Sequence, residues 1–211
     1  MQVLPITFAL VLAAMPATGL AQAQDQAAFD ACLSGLRPAA AAAGINQATF
    51  DTYATTAVPD MTVLDLLDAQ PEFTTPIWDD LAALVDQQRV DDGQAMLKTH
   101  AAILAQVAQQ YGVDAQTVVA VWGVESDYGK TFGKRPLLTS LATLSCFGRR
   151  QAFFRGEFFA TLKLLQSGDL KPEGLIGSWA GAFGHTQFMP TTYQRIAVDG
   201  DGDGRRDLVG S

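Results

Sequence analysis

Val118-Val-Ala-Val-Trp-Gly-Val-Glu-Ser-Asp-Tyr-Gly129 is the stretch on which the reading of this chain turns. Asp114 stands where a helix N-cap would, and Val118, Val119, Val121 and Trp122 form an apolar helical run behind it. Gly129 lies where that helix would stop. One carboxylate, Glu125, sits at the end of the run. Apolar neighbours desolvate a charge placed there, and the negative end of the helix dipole disfavours a second negative charge. Both effects raise a glutamate's pKa, and a glutamate that keeps its proton near neutral pH can act as a general acid. From this stretch alone the plainer alternative is a charged side chain fraying into solvent at a helix end.

Working outward, the stretch is followed by Leu141-Ala-Thr-Leu144, then by Gly177-Ser-Trp-Ala-Gly-Ala-Phe-Gly-His-Thr-Gln-Phe-Met-Pro190, and then by Thr192-Tyr193. In this order and at this spacing the series resembles the B-type lytic murein transglycosylases, which cleave bacterial peptidoglycan. The resemblance runs from about Thr99 to Leu208. It implies a mainly α fold: a lysozyme-like helical core lobe with an N-terminal α-helical lobe. It also implies that Glu125 is the single catalytic acid/base. Glu125 would protonate the glycosidic oxygen between N-acetylmuramic acid and N-acetylglucosamine. It would then take the proton of the sugar's own 6-hydroxyl as a 1,6-anhydro ring closes. One carboxylate suits that reaction, whereas an ordinary glycosidase uses a pair. Asp127, two positions along a helix, would face away.

The same resemblance assigns Ser178 to contact with the catalytic glutamate, the alternative being an N-cap serine. It assigns Gln187 to substrate binding, where an amide can meet an N-acetyl group; the alternative is a structural amide bonded to backbone. Phe188, Met189 and Tyr193 would line a sugar subsite, with core packing as the alternative for each. The expected partners are peptidoglycan glycan strands, with no nucleic acid and no membrane anchor, and a monomer is expected. No cofactor is required for the chemistry. The runners-up are a hydrolysing muramidase on the same scaffold and a non-catalytic peptidoglycan- or calcium-binding module.

Asp199-Gly-Asp-Gly-Asp-Gly204 puts oxygen ligands at alternate positions before a turn glycine, the pattern of a calcium loop, and the family has such a loop here. Asp199, Asp201 and Asp203 would offer carboxylates and Arg205 its backbone carbonyl to a structural Ca²⁺. Gly210 stands where the loop's usual acidic twelfth residue would be, and the family's closing carboxylate would lie beyond Ser211. A weak or incomplete site is therefore expected, with an acidic solvated tail as the alternative.

Composition agrees with a globular helical chain: 48% of residues are hydrophobic, 17% are charged, and alternating strand patterns are scarce. Ile6 to Met15 is apolar and precedes Pro16 and Gly19-Leu20-Ala21-Gln22-Ala23. That reads as a signal peptide over residues 1–23, too short and too soon broken by proline to span a membrane. An exported, periplasmic protein follows, and in that compartment Cys32 and Cys146 can pair, the alternative being two buried thiols. Charge is uneven. Residues 24–113 hold three Lys and Arg against twelve Asp and Glu, whereas residues 114–198 hold nine against six. The basic residues near Glu125 (Lys130, Lys134, Arg135, Arg149, Arg150 and Arg155) could attract an acidic polymer, or form an ordinary solvated face.

Taken in order, the pattern predicts a first helix over Gln24–Leu36 with a new segment from Pro38, and a short helix near Thr49–Thr55. An irregular stretch follows, with a helical turn at Val63–Leu67. Next come an amphipathic helix at Ile77–Val85, a turn at Asp91-Asp92-Gly93, and a long helix over Gln94–Tyr111. Further helices are predicted at Pro136–Leu144, Arg150–Gln166 and Pro190–Ala197. No Pro/Gly/Ser linker separates two domains. The division adopted is an N-terminal helical segment over residues 24–95, packed on a catalytic core over residues 96–211. A phosphate loop, a zinc motif and a nucleophile elbow are all absent from the sequence.

Overall fold

The computed structural model describes residues 17–55, 57–69 and 75–210. The apolar run Ile6–Met15 lies outside them. The described residues form α1 (Ala17–Ala42), α2 (Gln47–Tyr53), α3 (Thr62–Ala69), α4 (Ile77–Leu84), α5 (Gln87–Thr99), α6 (Ala101–Tyr111) and α7 (Ala115–Ser126). They continue with β1 (Arg135–Pro136), α8 (Leu137–Cys146), α9 (Gln151–Ser167), β2 (Ile176–Gly177) and α10 (Pro190–Ile196). The fold is thus mainly α. Its one ribbon among the described residues pairs β1 and β2 antiparallel, Arg135 opposite Gly177 and Pro136 opposite Ile176.

α8 is the centre of the core. Leu137, Leu141 and Leu144 are fully buried, and so are Ser140, Thr143 and Ser145. Two of these three hydroxyls are satisfied within the helix, while Ser140 Oγ meets no partner among the described residues. Thr143 Oγ1 donates to Thr139 O at 2.7 Å and Ser145 Oγ to Leu141 O at 2.6 Å. α9 packs along α8 with Phe154, Phe158 and Leu162, and α1 covers the other side with Phe29, Leu33 and Leu36. Cys32 of α1 and Cys146 of α8 are joined by a disulfide. The N-terminal helices therefore share one hydrophobic cluster with α8 and α9.

Two boundaries differ from the sequence pattern. α1 continues through Pro38, because Leu36 and Ala40 on either side of it are buried in the core cluster and packing outweighs the lost backbone bond. The predicted turn at Asp91-Asp92-Gly93 is helical: α5 starts at its N-cap Asp86, whose side chain accepts from Arg89 N at 2.8 Å, and the break comes at His100. The boundary drawn between residues 95 and 96 therefore falls inside α5. α4 forms where expected, but none of its residues is buried and Trp78 is 77% exposed.

The charge asymmetry has a structural outlet. Arg135 binds Asp60, Arg149 binds Asp68 at 3.1 Å and Lys130 binds Asp92 at 2.6 Å. Each pair joins the acidic half to the basic half, so these three cations bind the chain itself. Burial alone would raise the Asp60 carboxyl, but hydrogen bonds from Thr62 and Arg135 and the Arg135 charge outweigh it and hold its pKa below the usual range.

Candidate active site

α7 begins at Asp114, whose carboxylate accepts from Thr117 N at 2.8 Å, and ends at Ser126. Beyond it Asp127, Tyr128 and Gly129 all take left-handed backbone, with φ of 49°, 57° and 85°. Two successive non-glycine residues in that region are strained and must be held by their surroundings. Tyr128 supplies the hold. Its ring wedges between α5 and α7, and its hydroxyl donates to Arg89 O at 2.6 Å. A Cβ built on Gly93 or on Gly123 would lie 2.6 Å from that hydroxyl, so both mid-helix glycines are seats for the phenol. Asp127 turns away from the helix end toward Lys130 (3.5 Å) and Arg89 (3.9 Å).

Glu125, the penultimate residue of α7, is exposed. Among the described residues no hydrogen bond or ion pair reaches its carboxylate. Protein atoms still crowd part of it, and this desolvation raises its pKa above the usual carboxylate value. The group is both open to an incoming ligand and biased toward holding a proton.

The next residue ties this helix end to the glycine-rich segment. Ser126, fully buried, donates to His185 O at 2.7 Å and accepts from Gly129 N at 3.1 Å. Trp122 Nε1 donates to His185 Nδ1 at 2.9 Å. An indole N–H can only donate, so Nδ1 is bare and the imidazole is neutral in this arrangement. Burial lowers the His185 pKa, against a backbone bond to Val209 and the Asp207 charge, which raise it. The rings of Trp122 and Phe132 meet His185 edge-on, and a Cβ on Gly129 would collide with it at 2.3 Å. The turn from Gly184 to Gln187 is thereby fixed against the end of α7.

Within that segment Ser178 Oγ accepts from Ala182 N at 3.0 Å while Ser178 N donates to Ala182 O at 2.8 Å. This pair closes the Ser178–Ala182 turn, and no bond joins the hydroxyl to Glu125. Gln187 is left-handed at φ 47°, and its Nε2 donates to Gly184 O (3.0 Å) and Phe132 O (3.4 Å). Its amide nitrogen is therefore structural. Among the described residues no bond takes Oε1, which has acceptor capacity to spare. Phe188 is half-buried and accepts through its carbonyl from Phe183 N at 3.1 Å, and Met189, also half-buried, is the N-cap residue of α10. Tyr193 is different. It is fully buried, it stacks on Phe183 at 5.6 Å, and burial first, then Asp169, pushes its hydroxyl up to about 12. With no accessible surface it cannot line a sugar subsite in this conformation; it serves the core.

Asp199, Asp201 and Asp203 are exposed, and one carboxylate oxygen from each lies within 4.8 Å of the others. Asp199 accepts from Gly202 N at 2.7 Å and Gly204 N at 2.9 Å, and Asp203 accepts from Arg205 N at 2.8 Å. The loop is thus already curled around these oxygens, a donor set suited to a hard cation. Asp207 instead accepts from Val209 N and Gly210 N and closes the following turn.

Three features escaped the sequence reading: the Tyr128 wedge, the Trp122–His185–Ser126 tie, and Glu157. The last is 3% exposed, and it accepts from Thr191 N at 2.9 Å and Thr191 Oγ1 at 2.7 Å. Its position was visible in principle, since Phe154, Phe158 and Thr161 place residue 157 on the buried face of α9.

Comparison with known proteins meets this geometry. Residues 28–211 match the family model of the transglycosylase SLT domain. The chain is 37% identical over 125 residues to membrane-bound lytic murein transglycosylase B of Escherichia coli strain K12, covering 59% of this chain and 35% of that protein. Among solved structures it resembles SltB3 from Pseudomonas aeruginosa in complexes with NAG-NAM-pentapeptide and NAG-anhNAM-pentapeptide. There the identity is 48% and the TM-score 0.82, over 87% of this chain and 49% of that one. It also resembles the Escherichia coli lytic transglycosylase Slt35 in complex with calcium, at 29% identity and a TM-score of 0.74, over 87% of this chain and 58% of that one. The chain thus spans about a third of the curated relative and about half of SltB3. With a family match over residues 28–211, this chain belongs to the transglycosylase SLT family, among the B-type lytic murein transglycosylases.

Proposed function

We propose that this protein is a peptidoglycan lytic transglycosylase of the periplasm, with Glu125 as its acid/base. The observation that carries the reading is an open carboxyl of raised pKa, tied through the adjacent Ser126 to the turn that bears Gln187. Glu125 gives its proton to the glycosidic oxygen, and the bond to the departing N-acetylglucosamine breaks. The resulting carboxylate accepts the proton of the N-acetylmuramic 6-hydroxyl as that oxygen closes on C1. Atoms and protons balance with no added water. Gln187 Oε1 accepts from an N-acetyl N–H, while Phe188 and Met189 supply apolar surface to the sugar. Ser178 keeps a hydroxyl proton that its bond with Ala182 does not consume, and it can donate that proton to the Glu125 carboxylate once a ligand narrows the site.

Asp199, Asp201, Asp203 and the Arg205 carbonyl would hold a structural Ca²⁺, which steadies the loop and takes no part in proton transfer. The complexes of SltB3 with NAG-anhNAM-pentapeptide and of Slt35 with calcium support both readings by kinship. Among the described residues no helix is long and apolar enough to cross a membrane.

The test is mass spectrometry of peptidoglycan digested by the purified chain. Fragments ending in 1,6-anhydro-N-acetylmuramic acid are expected. Reducing ends would point to hydrolysis, and binding without turnover to a non-catalytic module.

A further inference from the structure

We infer that Glu157 is a positioning residue for the glycan-binding turn Gln187–Met189, acting from α9 through Thr191. The inference rests on the functional reading above and deepens it. A carboxylate that is 3% exposed is costly, and an apolar side chain among Phe154 and Phe158 would serve the core more simply. Both of its oxygens are spent on one residue, Thr191, through the backbone N–H at 2.9 Å and the hydroxyl at 2.7 Å. α10 needs this partner. Met189 occupies its N-cap position without a side-chain bond, and Pro190 follows with no N–H to offer. Thr191 therefore carries the first backbone donor of the helix, and Glu157 receives it from another element.

The turn between the two ties is short. At one end Ser126 holds His185 O at 2.7 Å, and at the other Glu157 holds Thr191. Between them Gln187 sits at φ 47°, a conformation that a non-glycine side chain keeps only under constraint. The bonds from Gln187 Nε2 to Gly184 O and Phe132 O hold one side of the turn. Releasing the Thr191 end frees the other side and lets Gln187, Phe188 and Met189 shift from the site. Glu125 lies on α7, behind the other tie, and is unaffected. Losing Glu157 should therefore weaken glycan binding and leave the chemical step nearly intact.

The experiment measures the Kd of a GlcNAc-MurNAc-peptide on the full chain carrying Glu125→Gln, so that the ligand stays whole. KM and kcat are measured on the chain with Glu125 intact, and amide hydrogen exchange at residues 187–191 on both. Glu157→Ala should weaken Kd and raise KM by about tenfold, with kcat changed by less than about threefold, and should speed exchange in the turn. Glu157→Gln still offers an oxygen to Thr191 N and an N–H to its hydroxyl, so it should restore binding to within about threefold, as should Thr191→Ser. A folded Glu157→Ala variant with unchanged Kd and unchanged exchange overturns the inference, as does a loss confined to kcat. If that variant does not fold, Thr191→Val, which removes only the hydroxyl bond, should weaken Kd by about threefold, and an unchanged Kd is again fatal. A chain that binds but never cleaves, with the Kd ratios as stated, defeats the proposed activity and leaves this inference standing. A chain that binds no glycan defeats both.

Discussion

α7 and α9 hold their glutamates, Glu125 and Glu157, in opposite ways. Glu125 is exposed, meets no bonding partner among the described residues, and is pushed toward its neutral form by crowding. Glu157 is buried, and both of its oxygens are bonded. On the proposed reading, the group that exchanges protons is left unsatisfied and accessible, whereas the group that holds a shape is satisfied and hidden. The strain follows the same division, with left-handed Asp127 and Tyr128 directly after Glu125, and left-handed Gln187 ahead of the bonded start of α10.

The sharpest way to break this comparison is Glu125→Gln. It should lower the rate of anhydro-muropeptide release by about 10²-fold or more, the scale of a positioned general acid. Near-normal turnover would show that the open carboxyl is not the proton donor. The pH dependence has a defined sign. Because desolvation raises the Glu125 pKa, the fold favours the neutral form more than the unfolded chain does. Stability from this group is present below its unfolded pKa and is lost as pH rises through the folded value. Cleavage should decline over the same upper limb as the acid loses its proton. Glu125→Gln should accordingly melt no lower than the parent at pH 7, and a clear drop in Tm would mean the carboxylate has a structural bond.

The support behind Glu125 is tested by Gly123→Ala and Gly93→Ala. Each new methyl meets Tyr128 at 2.6 Å, and overpacking of this kind costs about 1–3 kcal/mol in denaturant unfolding. The two should respond differently to Tyr128→Phe. At Gly93 the clash is with the hydroxyl, the next ring atom being 3.5 Å away, so removing the hydroxyl should relieve it. At Gly123 the ring itself is met, with Cζ at 2.6 Å and Cε1 at 2.8 Å, so little relief is expected. Equal rescue at both positions would contradict the wedge.

Calcium should have the smallest effect. Asp199, Asp201 and Asp203 converge, but the closing acidic position is Gly210, so millimolar Ca²⁺ should raise Tm only slightly. The gain stays below the ~2.7 kcal/mol that a hundredfold excess over Kd would give. Loss of cleavage on chelation while the fold survives would move the ion from the structure into the chemistry.

Much of the site was legible because it is local. The cap at Asp114, the length of α7 and the place of Glu125 all follow from a dozen residues in a row. The rest depended on partners distant in the sequence. Nothing near Pro38 says that Leu36 and Ala40 are buried deeply enough to carry α1 through it. Gly93 reads as a turn until Tyr128 is known to fill the space beside it. The charge imbalance was plain, but only the fold pairs Arg135 with Asp60 and Arg149 with Asp68. Tyr193 carries the chemistry of a sugar-stacking ring, and only its complete burial assigns it to the core.

The Cys32–Cys146 bond, which spans a sequence separation of 114, also changes what a single backbone cut can do. A protease that severs the chain anywhere between the two cysteines opens a covalent ring and releases neither piece. The nicked molecule should migrate as one species on a denaturing gel and fall into two only after reduction. Under oxidising conditions α1 and its apolar face then stay attached to α8 through backbone damage that would otherwise set them free.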